Sequence, residues 1–220
     1  MSDADLHVRF HLPGLRANYP LNMFWISLLK THPEYFREGV EIGSMFGCFP
    51  VALWNGGRFI ASDQCDKAYI TNVIKAVNAA GVPVRYTFTS PVLTEADLDD
   101  PYCNFCMQAG DNGMNEVMIL SPILEKYIRE NYPSYKLNSS TCKEIRDVDA
   151  LNAELDKDYY QYVVLDYNLN NQWDVIDRLK KPERLEVLVN CLCQPNCPRR
   201  GEHYKNMARN GRTVLENRKL

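Results

Sequence analysis

Apolar and polar positions along this chain follow two periods that take turns almost from end to end. His7-Val8-Arg9-Phe10-His11-Leu12 alternates with a period of two and stops at Pro13-Gly14, which predicts a strand. From about Leu21 to Phe36 the apolar residues Met23, Phe24, Leu28 and Leu29 lie on one helical face, and Pro33 bends or ends that helix. Val40 to Met45 predicts the second strand. The clearest helical stripe is Ala68, Ile70, Val73, Ile74 and Val77, within about Asp63 to Ala80, with Gly81 as its C-terminal cap. Val84 to Thr89 alternates charged, aromatic and β-branched residues as a third strand. Ser90 to Asn115, rich in Asp, Gly and Asn, reads as an irregular loop.

The second half repeats the theme. Glu116–Leu120, Tyr135–Asn138, Tyr160–Leu165 and Leu185–Val189 read as strands, the third apolar enough to be buried on both faces. Ile123–Asn131, Thr141–Leu155 and Asn171–Lys180 read as the helices between them, with Thr141 as a cap and Pro182 as a stop. Strands that alternate with helices imply a parallel sheet, either doubly wound or curled into a barrel. No strand is followed by Gly-x-Gly-x-x-Gly, so no nucleotide-cofactor motif supports the doubly wound form. The predicted fold is therefore α/β, an incomplete or open TIM-like βα barrel of about seven mostly parallel strands. A full barrel takes eight strands and about 250 residues. The 220 residues read as one domain, with 201–220 a C-terminal tail or partial helix.

Composition adds exclusions. A net charge of −3 gives no global attraction to nucleic acid or anionic membrane. No window approaches the roughly 18 continuous apolar residues of a membrane span. The start, Met1-Ser2-Asp3-Ala4-Asp5, is acidic with no apolar stretch after it, so a cytoplasmic location is expected and the eight cysteines read as reduced thiols or metal ligands.

In a barrel the chemistry gathers after the strand ends. Asn55-Gly56-Gly57-Arg58 offers backbone amides and an arginine to a small-molecule or nucleotide-like ligand, or else a tight turn with a surface arginine. Asn168 and Arg200 stand as further substrate-binding candidates. Asp166, at the end of a buried strand, suits a general base or a helix cap, and His203 a catalytic partner. The segment Cys191-x-Cys193-x-x-x-Cys197-Pro198 crowds thiols within a loop, and Cys103-x-x-Cys106 is a second close pair. Four thiolates, Cys193, Cys197, Cys103 and Cys106, would suit zinc or an iron–sulfur cluster. A cysteine nucleophile with His203 or His11 as base is an alternative use of the same residues. Cys48, Cys65 and Cys142 read as packing cysteines.

Several segments carry a family resemblance. Leu188-Val189-Asn190-x-x-Cys193-x-x-x-Cys197-Pro198-x-Arg200-x-x-His203-Tyr204, Trp54-Asn55-Gly56-Gly57-Arg58, Leu12-Pro13-Gly14-Leu15, Ile42-Gly43-Ser44, Phe49-Pro50 and Asp166-Tyr167 resemble barrel proteins related to the collagenase-like peptidases of unclassified mechanism. The resemblance implies a βα barrel. It also implies a cysteine-bound iron–sulfur cluster and oxygen-independent hydroxylation of nucleobases or quinone precursors, with Cys193 and Cys197 as the matching ligands. The family's barrel continues past this point, so a shortened bacterial or phage-related form is expected. The functional expectation is a metal- or iron–sulfur-dependent barrel enzyme acting on a small or nucleotide-like substrate. The alternative is a non-catalytic binding or assembly protein that keeps the scaffold and takes a protein partner.

Overall fold

The structure, a computed structural model, describes residues 7–56, 65–191 and 193–218. Among them the chain runs β1 (Val8–Pro13), α1 (Tyr19–Thr31), β2 (Val40–Gly47), α2 (Lys67–Ala79), β3 (Val84–Phe88), α3 (Pro101–Ala109) and β4 (Glu116–Ile119). It continues through α4 (Pro122–Asn131), β5 (Lys136–Ser139), α5 (Val148–Leu155), β6 (Tyr160–Val164), α6 (Trp173–Ile176), β7 (Leu185–Glu186) and α7 (Arg200–Arg218). The strands lie side by side in sequence order, and every adjacent pair is parallel.

Laid flat, β1 and β7 would stand roughly 29 Å apart, six steps of about 4.8 Å. Instead His11 Nε2 on β1 lies 3.4 Å from Glu186 Oε2 on β7. Arg9 on β1 likewise donates to the Tyr162 hydroxyl on β6 at 2.7 Å. The sheet is curled into an open barrel, with β1 and β7 as the edges of an unpaired seam.

Period-two alternation divides the strand residues between two interiors. Outward from β3 point Val84, Tyr86 and Phe88, which join Val117, Ile119 and Leu137 of β4 and β5 in the core beneath the helices. The buried stripe of α2, Ile70, Val73, Ile74 and Val77, belongs to the same cluster. Asp66 caps α2 by accepting from the Tyr69 N–H at 2.7 Å, and Gly81 follows its end with φ +78°. A smaller second cluster, Val148, Leu151, Leu155, Val163, Leu165, Leu169 and Leu179, sits under α5 beside β6.

Several elements depart from the sequence reading: the helix expected over 141–155 begins only at α5, after a short turn, Thr141–Lys143, that Ser140 caps rather than Thr141. The stretch expected to be irregular contains α3, started by Pro101 and by Asp100, whose carboxylate accepts from the Cys103 N–H at 2.7 Å. The helix expected over 171–180 shrinks to α6, because little of that segment has a surface to pack against and Trp173 stays 66% exposed. The C-terminal tail is a long helix, α7. Among the described residues no helix is long and apolar enough to cross a membrane.

Candidate functional site

Inside the curled sheet the alternate positions are polar. Arg85 is the central one, with its side chain fully buried. Its Nε donates to Glu116 Oε2 on β4 at 2.6 Å, and its Nη1 to the two Glu186 oxygens on β7 at 2.8 and 2.6 Å. Asn138 on β5 donates to the same Glu116 oxygen at 3.1 Å and accepts from the Tyr162 N–H at 3.2 Å. On β1, His11 shares a 2.7 Å hydrogen bond between Nδ1 and the buried Ser44 hydroxyl of β2. The layer thus takes a side chain from β1, β2, β3, β4, β5 and β7, where closed barrels usually stack Val, Ile and Leu. Arg9, Glu41 and Tyr162 lie beside it toward the strand starts, with Arg9 Nε 2.5 Å from Glu41.

Local geometry makes room for this layer. The pairing of β1 with β2 slips between Phe10 and His11, and Gly43 is the extra residue. A Cβ at Gly43 would fall 2.4 Å from Arg9 Cγ and 2.8 Å from His11 Cε1. A side chain at 43 would have to displace both of them.

The charges are asymmetric. Burial, reinforced by Arg85 and Arg9, lowers the His11 pKa to about 3, so its ring is neutral near pH 7. Burial raises the Glu186 pKa against the pull of Arg85, and Glu116 adds to the rise. Two carboxylates therefore face one guanidinium. Arg85 Nη2 is buried and has no hydrogen-bond partner among the described residues.

At the strands' C-terminal ends a second polar group lies under α7. Asp166 and Arg200 are both fully buried and pair at 2.8 Å. Arg200 also donates to the Thr141 carbonyl at 2.9 Å, and its guanidinium stacks 3.9 Å from the centre of the Tyr167 ring. Twelve residues along the helix, about 18 Å by helical rise, Arg212 grips both oxygens of Asp97 at 2.7 Å. These two clamps lay α7 across the mouth, from the β6 exit to the loop after β3.

Asp166 accepts from the Asn168 N–H and side-chain amide, both at 2.9 Å, and so caps the turn after β6. His203 is exposed on α7, one turn past the Arg200 that pairs with the buried Asp166. Asn168 accepts from the Asn196 N–H at 2.8 Å, tying the cysteine-rich segment to β6. Asn55 is buried and accepts from Thr87 Oγ1 at 3.4 Å. Gly56 has φ +77°, and a Cβ there would lie 3.1 Å from the Ser90 backbone, so a tight turn against the β3 exit explains that glycine. Gly57 and Arg58 lie outside the described residues.

Cys103 and Cys106 stand on α3 inside the apolar core, and burial drives both thiols well above the usual range. Cys193 and Cys197 lie half-buried in the segment before α7, and among the described residues no three His, Cys, Asp or Glu side chains converge as a metal group. As arranged, these residues do not fit a four-thiolate zinc or iron–sulfur centre. The layer around Arg85, by contrast, escaped the sequence reading, although its signal was present. Parallel strands buried on both faces should be apolar throughout, so single charges inside otherwise apolar strands, Arg85 in β3 and Glu116 in β4, are a faint mark of a polar interior.

No protein-family model matches the chain, and no curated protein matches it. Among solved structures it is similar to the U32 peptidase Mk0906, with a TM-score of 0.60 and 12% identity over 96% of this chain and 79% of that one. An identity this low carries the fold alone. In its fold, then, this chain is an open βα barrel similar to that of a U32 peptidase.

Proposed function

We propose that the chain is a barrel enzyme that takes a small polar or nucleotide-like molecule into the lumen, beside Arg85, His11 and Glu186. One observation carries the reading: a charged layer fills a space that apolar side chains would fill more cheaply. Replacing buried ion pairs by well-packed hydrophobic residues is often neutral or stabilising by about 1–4 kcal/mol. Charge kept there at the expense of stability is the mark of a site. His11 and Glu186 belong to β1 and β7, the two edges of the open seam, and keep 9% and 16% of their side chains exposed, which supports access from that side. The thiols as placed lend no support to a metal or iron–sulfur centre, so no chemistry is routed through one.

The test is the variant Arg85→Met/Glu116→Leu/Glu186→Leu, compared with wild type in a thermal-shift panel of nucleosides, mononucleotides, small carboxylic acids and amides. The expected result is an equally or more stable fold that has lost every ligand response of the wild type. A wild type that answers to no compound, with a triple variant that is strongly destabilised, would show the layer to be structural.

A second reading, a binding or assembly protein, is favoured by where large apolar side chains are exposed. Phe10, Leu21, Phe24 and Trp25 lie on β1 and α1, and Trp173, Val187 and Val189 on α6 and just past β7. Both groups belong to elements that flank the seam. Light scattering from 1 to 100 µM would reveal the self-association this reading expects, and a monomer throughout would weigh against self-assembly.

A further inference from the structure

We infer that the lumen recognises its ligand through an uncharged carbonyl oxygen, held by Arg85 Nη2, and that it discriminates against both anions and cations of the same shape. The inference rests on the reading of the lumen as a site and adds the class of molecule it takes.

An arginine has five N–H donors in a fixed fork. Here Nε is used by Glu116 and Nη1 by Glu186, and Nη2 is buried without a partner among the described residues. A buried unmet donor calls for an acceptor. Nε and Nη1 are held toward Glu116 of β4 and Glu186 of β7, and Nη2 lies buried in the same layer.

Charge selects which acceptor. Glu116 and Glu186 already oppose the single Arg85 charge, and His11 is neutral. A ligand carboxylate would be a third negative group around one guanidinium in a poorly solvated space, where like charges are costly. An ammonium would meet the N–H face of Nη2 and has no lone pair to offer it. A neutral carbonyl, as in an amide, ketone or aldehyde, satisfies the donor and leaves the balance unchanged. His11, Ser44 and Asn138 supply further hydrogen-bonding groups in the same layer.

Acetamide, acetate and methylammonium are small probes, and the first two are nearly isosteric. Each is titrated into arginine-labelled protein, with the guanidinium resonances of Arg85 as the reporter and Arg85→Lys to assign them. The wild type is expected to bind acetamide at least about tenfold more tightly than acetate, a difference of about 1.4 kcal/mol, and methylammonium not at all. Glu186→Gln removes one negative charge and keeps the side-chain shape. In that variant acetate is expected to bind as well as acetamide or better.

The outcomes separate the two claims. Acetate or methylammonium preferred by the wild type overturns the carbonyl inference and leaves the lumen as a site. An unchanged preference in a folded Glu186→Gln protein overturns it as well. No response to any probe, in either protein, overturns the carbonyl inference together with the reading of the lumen as a site.

Discussion

His11 shows at the scale of one residue what the barrel interior demands. Its folded-state pKa lies at about 3, while an unfolded chain titrates its histidines near 6.5. Between those values the unfolded state binds a proton that the native state refuses. The stability due to His11 is therefore complete above about pH 6.5 and drains away as pH falls toward 3. Glu186 works in the opposite sense, because its raised pKa lets the native state hold a proton more readily than the unfolded chain. His11→Gln removes the first effect only. The stability difference between wild type and variant in urea unfolding should shrink by roughly 2–3 kcal/mol from pH 7 to pH 4, and a flat difference would contradict the burial argument. The thiols give a second prediction at this scale. Cys191, Cys193 and Cys197 are partly exposed, whereas Cys103 and Cys106 are buried. Iodoacetamide on the native protein should label the first three in minutes and the α3 pair only after unfolding, read by peptide mass spectrometry. Early labelling of Cys103 or Cys106 would show that α3 opens.

Among the elements, α7 has the least expected role. Sequence alone left it as a tail or partial helix, because its residues are mostly polar and show no continuous apolar stripe. Its attachment instead uses two arginines that a pattern of apolar residues cannot register. The two clamps should differ in strength. Arg200 and Asp166 are both fully buried, so losing Asp166 leaves the Arg200 guanidinium in a poor medium, while losing Arg200 leaves Asp166 with Arg146, whose Nε donates to it at 3.1 Å. A double-mutant cycle of Arg200→Met with Asp166→Asn should give a coupling of about 2–4 kcal/mol, and a coupling near zero would mean that α7 is held by other contacts. Arg212 is 29% exposed, and Asp97 also accepts from the Thr94 N–H and hydroxyl. The carboxyl of Asp97 is held down to about 2, chiefly by its bond to Arg212, so this tie persists in all but strong acid. α3 was the more recoverable miss: Asp100-Pro101 is a helix start, and Cys103, Cys106 and Met107 have the spacing of one buried face. The polar residues around it concealed that pattern.

For the whole molecule, the alternation of periods along the chain was enough to anticipate seven strands and a barrel that does not close, because each strand and helix carries its own local signal. The lumen was not legible in the same way. Arg85 among Val84, Tyr86 and Phe88 reads equally as the wet face of a half-exposed strand, and its partners at 116 and 186 are remote in sequence. Long-range ties of this kind also decide how the molecule comes apart. The large core under α2 and α3 and the smaller one under α5 are separate clusters. Between them run the pairing of β5 with β6, the 2.5 Å bond from Ser139 to Glu154, the Arg85–Glu186 bridge and the two clamps of α7. Regions with few buried apolar contacts open first. Hydrogen exchange should therefore find α5 and β6 less protected than β3 and β4 under native conditions. Glu186→Gln weakens one polar tie and leaves both apolar clusters intact, so it should speed exchange in α5, β6 and α7 and leave β3 and β4 almost unchanged. Equal acceleration throughout would mean that the two clusters unfold as one unit and that the polar ties couple them fully; no acceleration would mean that the Arg85–Glu186 bridge holds nothing together and serves the lumen alone.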